Sequence, residues 1–263
     1  MRKLKTLRRL VVVCVSLVMS VSLAWFFFMP DIPKLKRENP GKTSFMEYRE
    51  KEWEKKGRKY IIHQEWAPIS RISPYLMKAV LIAEDDKFWK HEGFDYEAIQ
   101  KALEKDIKAK KFKLGGSTIS QQLAKNLYLS PAKNPLRKIA EAAITWRMEK
   151  VLSKRRILEL YLNVVEWGEG IFGAEAASRH YFGKPSSELA PEEAARLAAV
   201  LPNPRKYDPA GDQRYVAKRS SLIYNIMVQR GIVIPEYSEV TGGGISSGND
   251  ADVGPVERIK PAD

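Results

Sequence analysis

A run of twenty apolar residues near the N-terminus constrains the topology of this chain more than any other feature. Residues 10–29 read LVVVCVSLVMSVSLAWFFFM, and the nine residues before them carry five basic side chains and no acidic one. At about 1.5 Å per residue, such a helix spans about 30 Å, the thickness of the hydrocarbon core of a bilayer. The run predicts a transmembrane signal-anchor over residues 10–30, with residues 1–9 as a basic cytoplasmic segment.

A cleaved signal peptide is the alternative, because Ser22, Leu23 and Ala24 form a small-x-small cleavage site. The apolar run continues past this site through Trp25–Met29, which favours an uncleaved anchor. Both alternatives place the residues after Pro30 on the outer side of the membrane.

The positive charge of the chain is concentrated in its central part. The formal net charge is +13, and residues 31–235 hold 38 basic and 26 acidic residues, a net charge of +12. A body this basic predicts anionic partners such as phosphates, acidic lipid headgroups or nucleic acid. Residues 236–263 form an acidic tail rich in Gly and Ser, a composition typical of disorder.

The sequence indicates neither a disulfide nor a structural metal site. Cys14 is the only cysteine, and His63, His91 and His180 lie far apart without a zinc-binding motif. No metal-binding residue is therefore predicted.

Helical signals dominate after the first quarter of the chain, and the fold is expected to be all-α. Ser73-Pro74 predicts one helix start, Asp95 predicts another, and Thr118 with Gln121 has the spacing of a capping box. Four further helices are predicted at about 136–162, 173–181, 187–201 and 213–230.

The domain division follows from these patterns. Residues 31–66 are polar and rich in charge, which is typical of a juxtamembrane linker. Within them, residues 44–59 fit either an amphipathic helix at the membrane interface or a solvated segment. Residues 67–235 are predicted to form one helical catalytic domain.

Three clusters of polar residues could carry chemistry, and the first is acidic. An apolar helical stretch, residues 79–83, runs directly into Glu84, Asp85 and Asp86. A carboxylate at the end of a buried helix should have a raised pKa and could act as an acid or a base. The alternative is an ordinary helix-terminal carboxylate that meets solvent.

In the second cluster, Gly115 and Gly116 open a helix, so that free backbone N–H groups can face an anion. Hydroxyl and amide side chains follow at Ser117, Thr118, Gln121 and Gln122. Lys125 lies on the same helix face as the two glutamines. The alternative is a capped helix after a flexible loop.

The third cluster combines two cations with an acid one helical turn away. Arg137 and Glu141 share one face of a predicted helix, with Lys138 beside them. The group could arrange positive charge around a diphosphate, or it could be an ordinary surface ion pair.

These clusters belong to five longer segments, which read EDDKFWKHEGFD (84–95), GGSTISQQLAKN (115–126), RKIAEAAITWRMEKVLSKRRILELYLN (137–163), GIFGAEAASRHYFGK (170–184) and LAAVLPNP (197–204). In this order they resemble the signature segments of glycosyltransferase family 51, the peptidoglycan glycosyltransferases. The resemblance implies an all-α, lysozyme-like fold with a small membrane-proximal lobe, preceded by one N-terminal transmembrane helix.

The resemblance also assigns roles residue by residue. Glu84 matches the catalytic general base, with Asp85 beside it at the substrate, and Glu141 matches the second glutamate of the cleft. The cations that meet the donor diphosphate match Lys125, Arg137 and Lys138. The polar substrate-binding positions match Ser117, Thr118, Gln121, Gln122 and Asn126.

The implied activity is polymerisation of lipid II into β-1,4-linked glycan strands, with inversion at the anomeric carbon and release of undecaprenyl diphosphate. The implied partners are lipid II, the growing lipid-linked chain, the membrane, and proteins of cell-wall synthesis and division, with no nucleic acid. No cofactor is obligatory, although a divalent cation, Mg²⁺ or Mn²⁺, could accompany the diphosphate. The implied location is the bacterial cytoplasmic (inner) membrane, with the N-terminus cytoplasmic and the catalytic domain periplasmic.

Three other functions are weighed against this one. A lysozyme-like lytic murein hydrolase would also use a glutamate beside an apolar helix, but it would not need the cation cluster. A membrane-anchored protein that binds nucleic acid would suit the charge but not the external topology. Ser130 and Lys133 fit the SxxK pattern of a transpeptidase, but no KTG motif follows and only about 60 residues remain after the last segment. A monofunctional enzyme is therefore expected.

Overall fold

The computed structural model describes residues 8–16, 19–20, 29–109, 116–131 and 135–234. The predicted acidic tail and residues 1–7 of the predicted basic segment lie outside these residues. Within the predicted anchor, residues 10–16 and 19–20 are helical, and residues 17–18 and 21–28 lie outside the described part. In the part of the chain that the structure describes, no helix combines the length and the apolarity needed to cross a membrane.

Between residues 29 and 234 the described chain is mostly helical, as the sequence predicts. The α-helices are α1 (Ser44–Lys55), α2 (Pro74–Glu84), α3 (Tyr96–Ala109), α4 (Ile119–Tyr128), α5 (Pro135–Val151), α6 (Lys154–Val164), α7 (Ala174–Phe182), α8 (Pro191–Val200) and α9 (Arg214–Gln229). Short 3₁₀ helices lie at Ile32–Lys36, Ile69–Arg71 and Ser186–Glu188. The strands β1 (His63–Gln64), β2 (Glu166–Gly168) and β3 (Ile171–Phe172) form a small sheet in the order β1-β3-β2.

Two groups of helices build the core and position the site. Helix α8 packs against α2 and α9, and helix α4 packs against α1, α5 and α6. Helix α8 buries the small side chains of Ala194, Ala195, Ala198 and Ala199 completely, which lets the neighbouring helices approach closely. The C-terminal end of α2 and the N-terminal end of α4 meet at one cleft.

Several helix boundaries agree with the sequence predictions. The Asp95 carboxylate caps α3 by accepting a hydrogen bond from the Ala98 N–H at 2.9 Å. Helix α7 ends at Gly183, whose φ of 68° is the left-handed conformation that favours glycine. Ser73 precedes α2 as predicted, but its hydroxyl donates to the Leu189 carbonyl at 3.0 Å instead of capping the helix.

The segment predicted to be a linker, residues 31–66, belongs to the folded body instead. Ile32 and Leu35 lie in the core, and α1 buries Met46 and Trp53. The burial of these residues shows that the linker prediction is wrong. The sequence does not reveal this burial, because the few apolar residues are scattered among many charged ones. Of residues 44–59, Ser44–Lys55 form a helix, and its buried side chains Met46 and Trp53 pack against protein. The predicted position of this helix at the membrane interface stays a prediction.

Ion pairs attach α1 to the sheet and to the loop before α9. The Arg49 guanidinium donates to the Glu166 carboxylate at 2.7 Å. Arg205 pairs with Glu169 at 2.9 Å and with Glu52 at 3.1 Å. Burial raises the pKa of Glu166, and its contact with Arg49 opposes that rise. Helix α1 is thus held to the body by charges as well as by apolar contacts.

Two predicted helices have different boundaries in the structure. The helix predicted over 136–162 is divided into α5 and α6, because the Ser153 hydroxyl accepts a hydrogen bond from the Arg156 N–H at 3.2 Å and starts a new helix. The flanking residues are good helix formers, so the sequence pattern hides this break. The helix predicted over 187–201 begins only at Pro191, since proline fits the first helical turn and not the interior.

Replacing Ser153 with Ala should lower the free energy of unfolding by about 1 kcal/mol, because the Arg156 N–H loses its acceptor at the start of α6. Ser153 is exposed, so the change leaves no cavity. Urea unfolding followed by circular dichroism measures the loss. Ser153→Asp is the matched control, because its carboxylate can cap the same N–H, and an equal loss in both variants would contradict the capping role.

Candidate active site

Glu84, the predicted base, is the last residue of α2, and its side chain is only 13% exposed. Burial beside the apolar turn of α2 raises the pKa of this carboxyl group. Three groups oppose the rise: the Gln122 amide, which donates to Glu84 Oε2 at 2.9 Å, the Arg219 guanidinium, 3.7 Å from Glu84 Oε1, and the charge of Lys125. The carboxyl group therefore combines a raised pKa with donors that hold its oxygens in place.

A second hydrogen bond fixes the orientation of the Gln122 amide. The Tyr161 hydroxyl donates to Gln122 Oε1 at 3.0 Å, so the NH₂ group of Gln122 faces Glu84. Tyr161 is completely buried, and this burial raises the pKa of its hydroxyl well above the ordinary value. The hydroxyl thus stays protonated and remains a donor.

Asp85, the residue after α2, joins two helices. Its carboxylate accepts a hydrogen bond from the Ile119 N–H at 2.9 Å, at the N-terminus of α4. It also contacts His91 Nε2 at 2.9 Å. Because His91 Nδ1 accepts from the Gly93 N–H at 3.1 Å, the proton of the neutral ring lies on Nε2 and is donated to Asp85. The interactions of Asp85 in the structure are therefore structural, and its predicted contact with substrate stays a prediction.

The start of α4 confirms the predicted capping box. Thr118 Oγ1 accepts from the Gln121 N–H at 3.2 Å, and the Thr118 N–H donates to Gln121 Oε1 at 3.1 Å. The Thr118 hydroxyl also donates to the Gly93 carbonyl at 2.7 Å. The side chains of Thr118 and Gln121 are thus used to shape the loop and do not extend freely into the cleft. Asn126 is buried further along the same helix. Gly115 of the second cluster lies outside the described residues.

The cleft in front of Glu84 has a volume of about 300 Å³. Its walls come from the end of α2, from α3 and from the loop before α4. The lining residues include Glu84, Asp85 and Asp86 of the first cluster and Gly116, Ser117 and Thr118 of the second. The structure therefore brings the first and second clusters together around one cleft.

The third cluster is held together by a buried acid. Both Arg137 and Lys138 form ion pairs with Glu141, which is almost completely buried, and the Arg137 pair measures 2.8 Å. Lys138 Nζ also lies 3.4 Å from the Ser117 hydroxyl, which connects this cluster to the loop before α4. Glu141 thus forms the ion pairs that the sequence analysis gave as an alternative. These ion pairs hold two cations beside the loop before α4.

Lys125 differs from the other cations because it forms no ion pair with any described residue. Burial lowers the pKa of its ammonium group, the carboxylates of Glu141 and Glu84 raise it, and the charges of Arg137 and Lys138 lower it further. An ammonium group in this position gains most from an anionic ligand, which would supply the missing opposite charge.

Sequence reasoning missed three residues that contact the predicted ones. Both His91 and Tyr161 lie inside the signature segments. The partner of Tyr161, Gln122, is distant in the chain, whereas His91 contacts Asp85 within the same segment. Arg219 lies outside all five segments, on α9. Its neighbours Val216 and Ser220 face the core. The position of a basic residue next to the buried face of α9 was therefore the sequence feature that could have identified Arg219. The described residues contain no cluster of metal-ligating side chains, and a divalent cation at the diphosphate stays a prediction.

A mostly helical domain with a buried carboxylate in a cleft, next to a cluster of cations, defines a class of enzyme that acts on anionic substrates. The transglycosylase family profile matches residues 53–228, and the chain belongs to this family. A protein of Nitrosospira multiformis is 51% identical over 194 residues, which are 74% of this chain and 84% of the relative. One of Aromatoleum aromaticum is 55% identical over 190 residues (71% and 83%), and one of Janthinobacterium sp. is 48% identical over 223 residues (85% and 95%). Each relative bears the name biosynthetic peptidoglycan transglycosylase.

Replacing Asp85 with Asn should lower the free energy of unfolding by roughly 1–3 kcal/mol, because an amide NH₂ would face the Ile119 N–H or the His91 Nε2–H with no acceptor between them. Thermal and urea unfolding measure the loss. The matched control is Asp86→Asn. The Asp86 carboxylate pairs with Arg230 in an exposed position, and this pair should contribute at most about 1 kcal/mol to stability. Equal effects at the two positions would contradict the structural role of Asp85.

Proposed function

We propose that this chain is a peptidoglycan glycosyltransferase that polymerises lipid II into β-1,4-linked glycan and releases undecaprenyl diphosphate. The observation that carries the proposal is the buried Glu84 at a cleft, with a second buried charge, Lys125, close enough to lower its pKa. Lys125 forms no ion pair within the described part of the chain. The family membership and the names of the relatives support the same substrate class. The mostly helical body is consistent with a lysozyme-like fold.

Glu84 would act as the general base. It accepts the proton of the sugar hydroxyl of an incoming lipid II molecule while the oxygen attacks the anomeric carbon of the growing chain. A raised pKa brings the carboxylate closer to the proton affinity that this step requires at neutral pH. Attack from the face opposite the diphosphate inverts the anomeric carbon, as in inverting glycosidases, with the acceptor hydroxyl in the place of water.

The cations would serve the leaving group. A lipid diphosphate departs with its own negative charge, so it needs charge stabilisation more than protonation. Lys125 has no ion pair among the described residues and can meet a diphosphate oxygen directly. Arg137 and Lys138, held by Glu141, would add positive charge from α5.

The lipid tails of both substrates require a site close to a membrane. The predicted anchor over residues 10–30 would supply this proximity and raise the local concentration of substrate. Helix α5 also exposes Ile139 and Trp146 beside basic side chains, a combination suited to a membrane interface. We therefore propose a single-pass protein of the cytoplasmic membrane, with its catalytic domain on the outer side.

A lysozyme-like lytic hydrolase remains the second candidate, since a buried glutamate with a raised pKa also suits a general acid. The cation cluster argues against it, because an uncharged glycan has no diphosphate to meet. Release of soluble fragments from purified cell walls, measured beside polymerisation, separates the two activities.

The decisive test is polymerisation of purified lipid II in detergent by the wild-type chain and by Glu84→Gln. Without a base, the rate should fall by about 10²–10⁴-fold. Glycan product is separated on gels and counted from a labelled substrate. Undiminished turnover by Glu84→Gln would overturn the mechanism, and release of wall fragments without any polymer would overturn the function.

Thermal unfolding of Glu84→Gln controls for loss of fold. Burial raises the pKa of the Glu84 carboxyl group in the folded chain above its value in the unfolded chain. The stability that this group contributes is fully present below the pKa of the unfolded chain. It is lost as the pH rises through the higher pKa of the folded chain. Glutamine removes this pH-dependent loss. At neutral pH the variant should therefore melt at the same temperature as wild type or at a higher one.

Replacing Arg219 with Gln should move the acidic limb of the pH–rate profile to higher pH. The guanidinium lies 3.7 Å from Glu84 Oε1 and lowers its pKa, so removing the positive charge raises that pKa further. The profile of kcat/KM against pH measures the shift. Lys218→Gln removes the same charge from an exposed neighbouring position and should leave the limb in place. A shift to lower pH, or none, would contradict the contact.

A further inference from the structure

A second and larger concavity lies apart from the catalytic cleft, and its side chains take no part in the proposed chemistry. It has a volume of about 1030 Å³ and shares no lining residue with the cleft in front of Glu84. Residues 59–65, helix α7 and residues 204–208 form its walls. We call it the tyrosine groove, after the lining residues Tyr60, Tyr181 and Tyr207. Its volume is at the upper end of the range of roughly 300–1,000 Å³ that ligand sites occupy.

Each tyrosine of the groove is held by a second ring. Tyr207 stacks on Tyr215, with ring centroids 4.0 Å apart and an angle of 12° between the planes. Tyr60 packs against Trp53 at 5.1 Å. Tyr181 meets the edge of His180 at 4.6 Å, and its hydroxyl donates to the Trp167 carbonyl. Rings held in this way lose little conformational entropy when a ligand packs on them.

Ion pairs also link the charged side chains of the groove. Arg179 pairs with Glu65 at 3.1 Å, and Arg205 pairs with Glu169 at 2.9 Å. The Arg205 Nε–H is buried without a hydrogen-bond partner among the described residues. The walls thus present planar charged groups, set between aromatic rings, whose remaining donors and acceptors can serve a ligand.

We propose that the tyrosine groove binds a β-1,4-linked, N-acetylated oligosaccharide strand. Sugar rings present apolar C–H faces and hydroxyl edges, and tyrosines with neighbouring ion pairs match both surfaces. This inference rests on the proposed function, because a polymerase of such glycan produces this ligand. The strand held there would be the one that the enzyme has made, at a distance from the reacting end.

A polypeptide is a weaker candidate for the same groove. Strand β1 is the outer strand of the sheet and lines the groove, so a peptide could in principle add to its free edge. However, β1 consists of His63 and Gln64 alone, and so short an edge offers too few backbone hydrogen bonds for a ladder. The side chains of the groove, rather than its backbone, are therefore expected to select the ligand.

The test is a titration of the full chain in detergent with chitotetraose, a soluble β-1,4-linked tetramer of N-acetylglucosamine, by isothermal calorimetry. Saturable binding should weaken by about fivefold in Tyr60→Ala and in Tyr207→Ala, since each loses one ring contact. Tyr207→Phe keeps the stack on Tyr215 and should bind more tightly than Tyr207→Ala. The matched control is Tyr48→Ala, an exposed tyrosine on α1 that does not line the groove.

Failure of this inference and failure of the proposed function have different signatures. Glu84→Gln should bind chitotetraose as wild type does, since Glu84 lies in the other cleft. Polymerisation without chitotetraose binding would overturn the groove alone, and binding without polymerisation would overturn the function alone. Binding that survives both groove substitutions but is lost in Glu84→Gln would place the ligand in the catalytic cleft and overturn the groove. Selective binding of an extended peptide with no response to chitotetraose would also overturn it.

Discussion

The hydrogen bond between the Asp85 carboxylate and the Ile119 N–H is the interaction on which the arrangement of the site depends. It joins the C-terminal end of α2 to the N-terminal end of α4, and these ends carry Glu84 and the polar loop. The carboxylate satisfies a backbone donor at a helix start that has no partner within the helix. His91 holds the second side of the same carboxylate. The two neighbouring acidic residues thus have different roles. Asp85 holds the two helix ends together, and Glu84 faces the cleft.

The site keeps charges in places where a protein selected for stability alone would avoid them. Burial raises the pKa of Glu84 and lowers that of Lys125, so each ionised group costs free energy in the folded chain. Neighbouring groups oppose both shifts: the Gln122 amide and the charge of Arg219 lower the pKa of Glu84, and the charge of Glu141 raises that of Lys125. An anionic substrate would relieve the cost at Lys125, so binding energy and the stability of the fold are coupled at this position.

Local patterns predicted much of the site, and long-range packing determined the rest. The capping box at Thr118, the cap at Asp95 and the acid at the end of α2 all depend on residues close in sequence, and the structure confirms the two caps. The contact between Arg219 and Glu84 joins residues far apart in the chain, so no local pattern contains it. The break at Ser153 was missed because a single capping hydroxyl outweighed the helix propensity of its neighbours.

The early burial of the chain after the predicted anchor has a mechanical consequence. That anchor ends at Pro30, and Ile32 already lies in the core, while Arg49 ties α1 to the sheet. A domain joined so directly to the predicted anchor would move over a smaller radius than one joined to it by a long flexible linker. Its cleft would stay at a fixed height and tilt above the bilayer. Substrate lipids would then reach the cleft by lateral diffusion in the plane of the membrane, while the cleft itself stays in place.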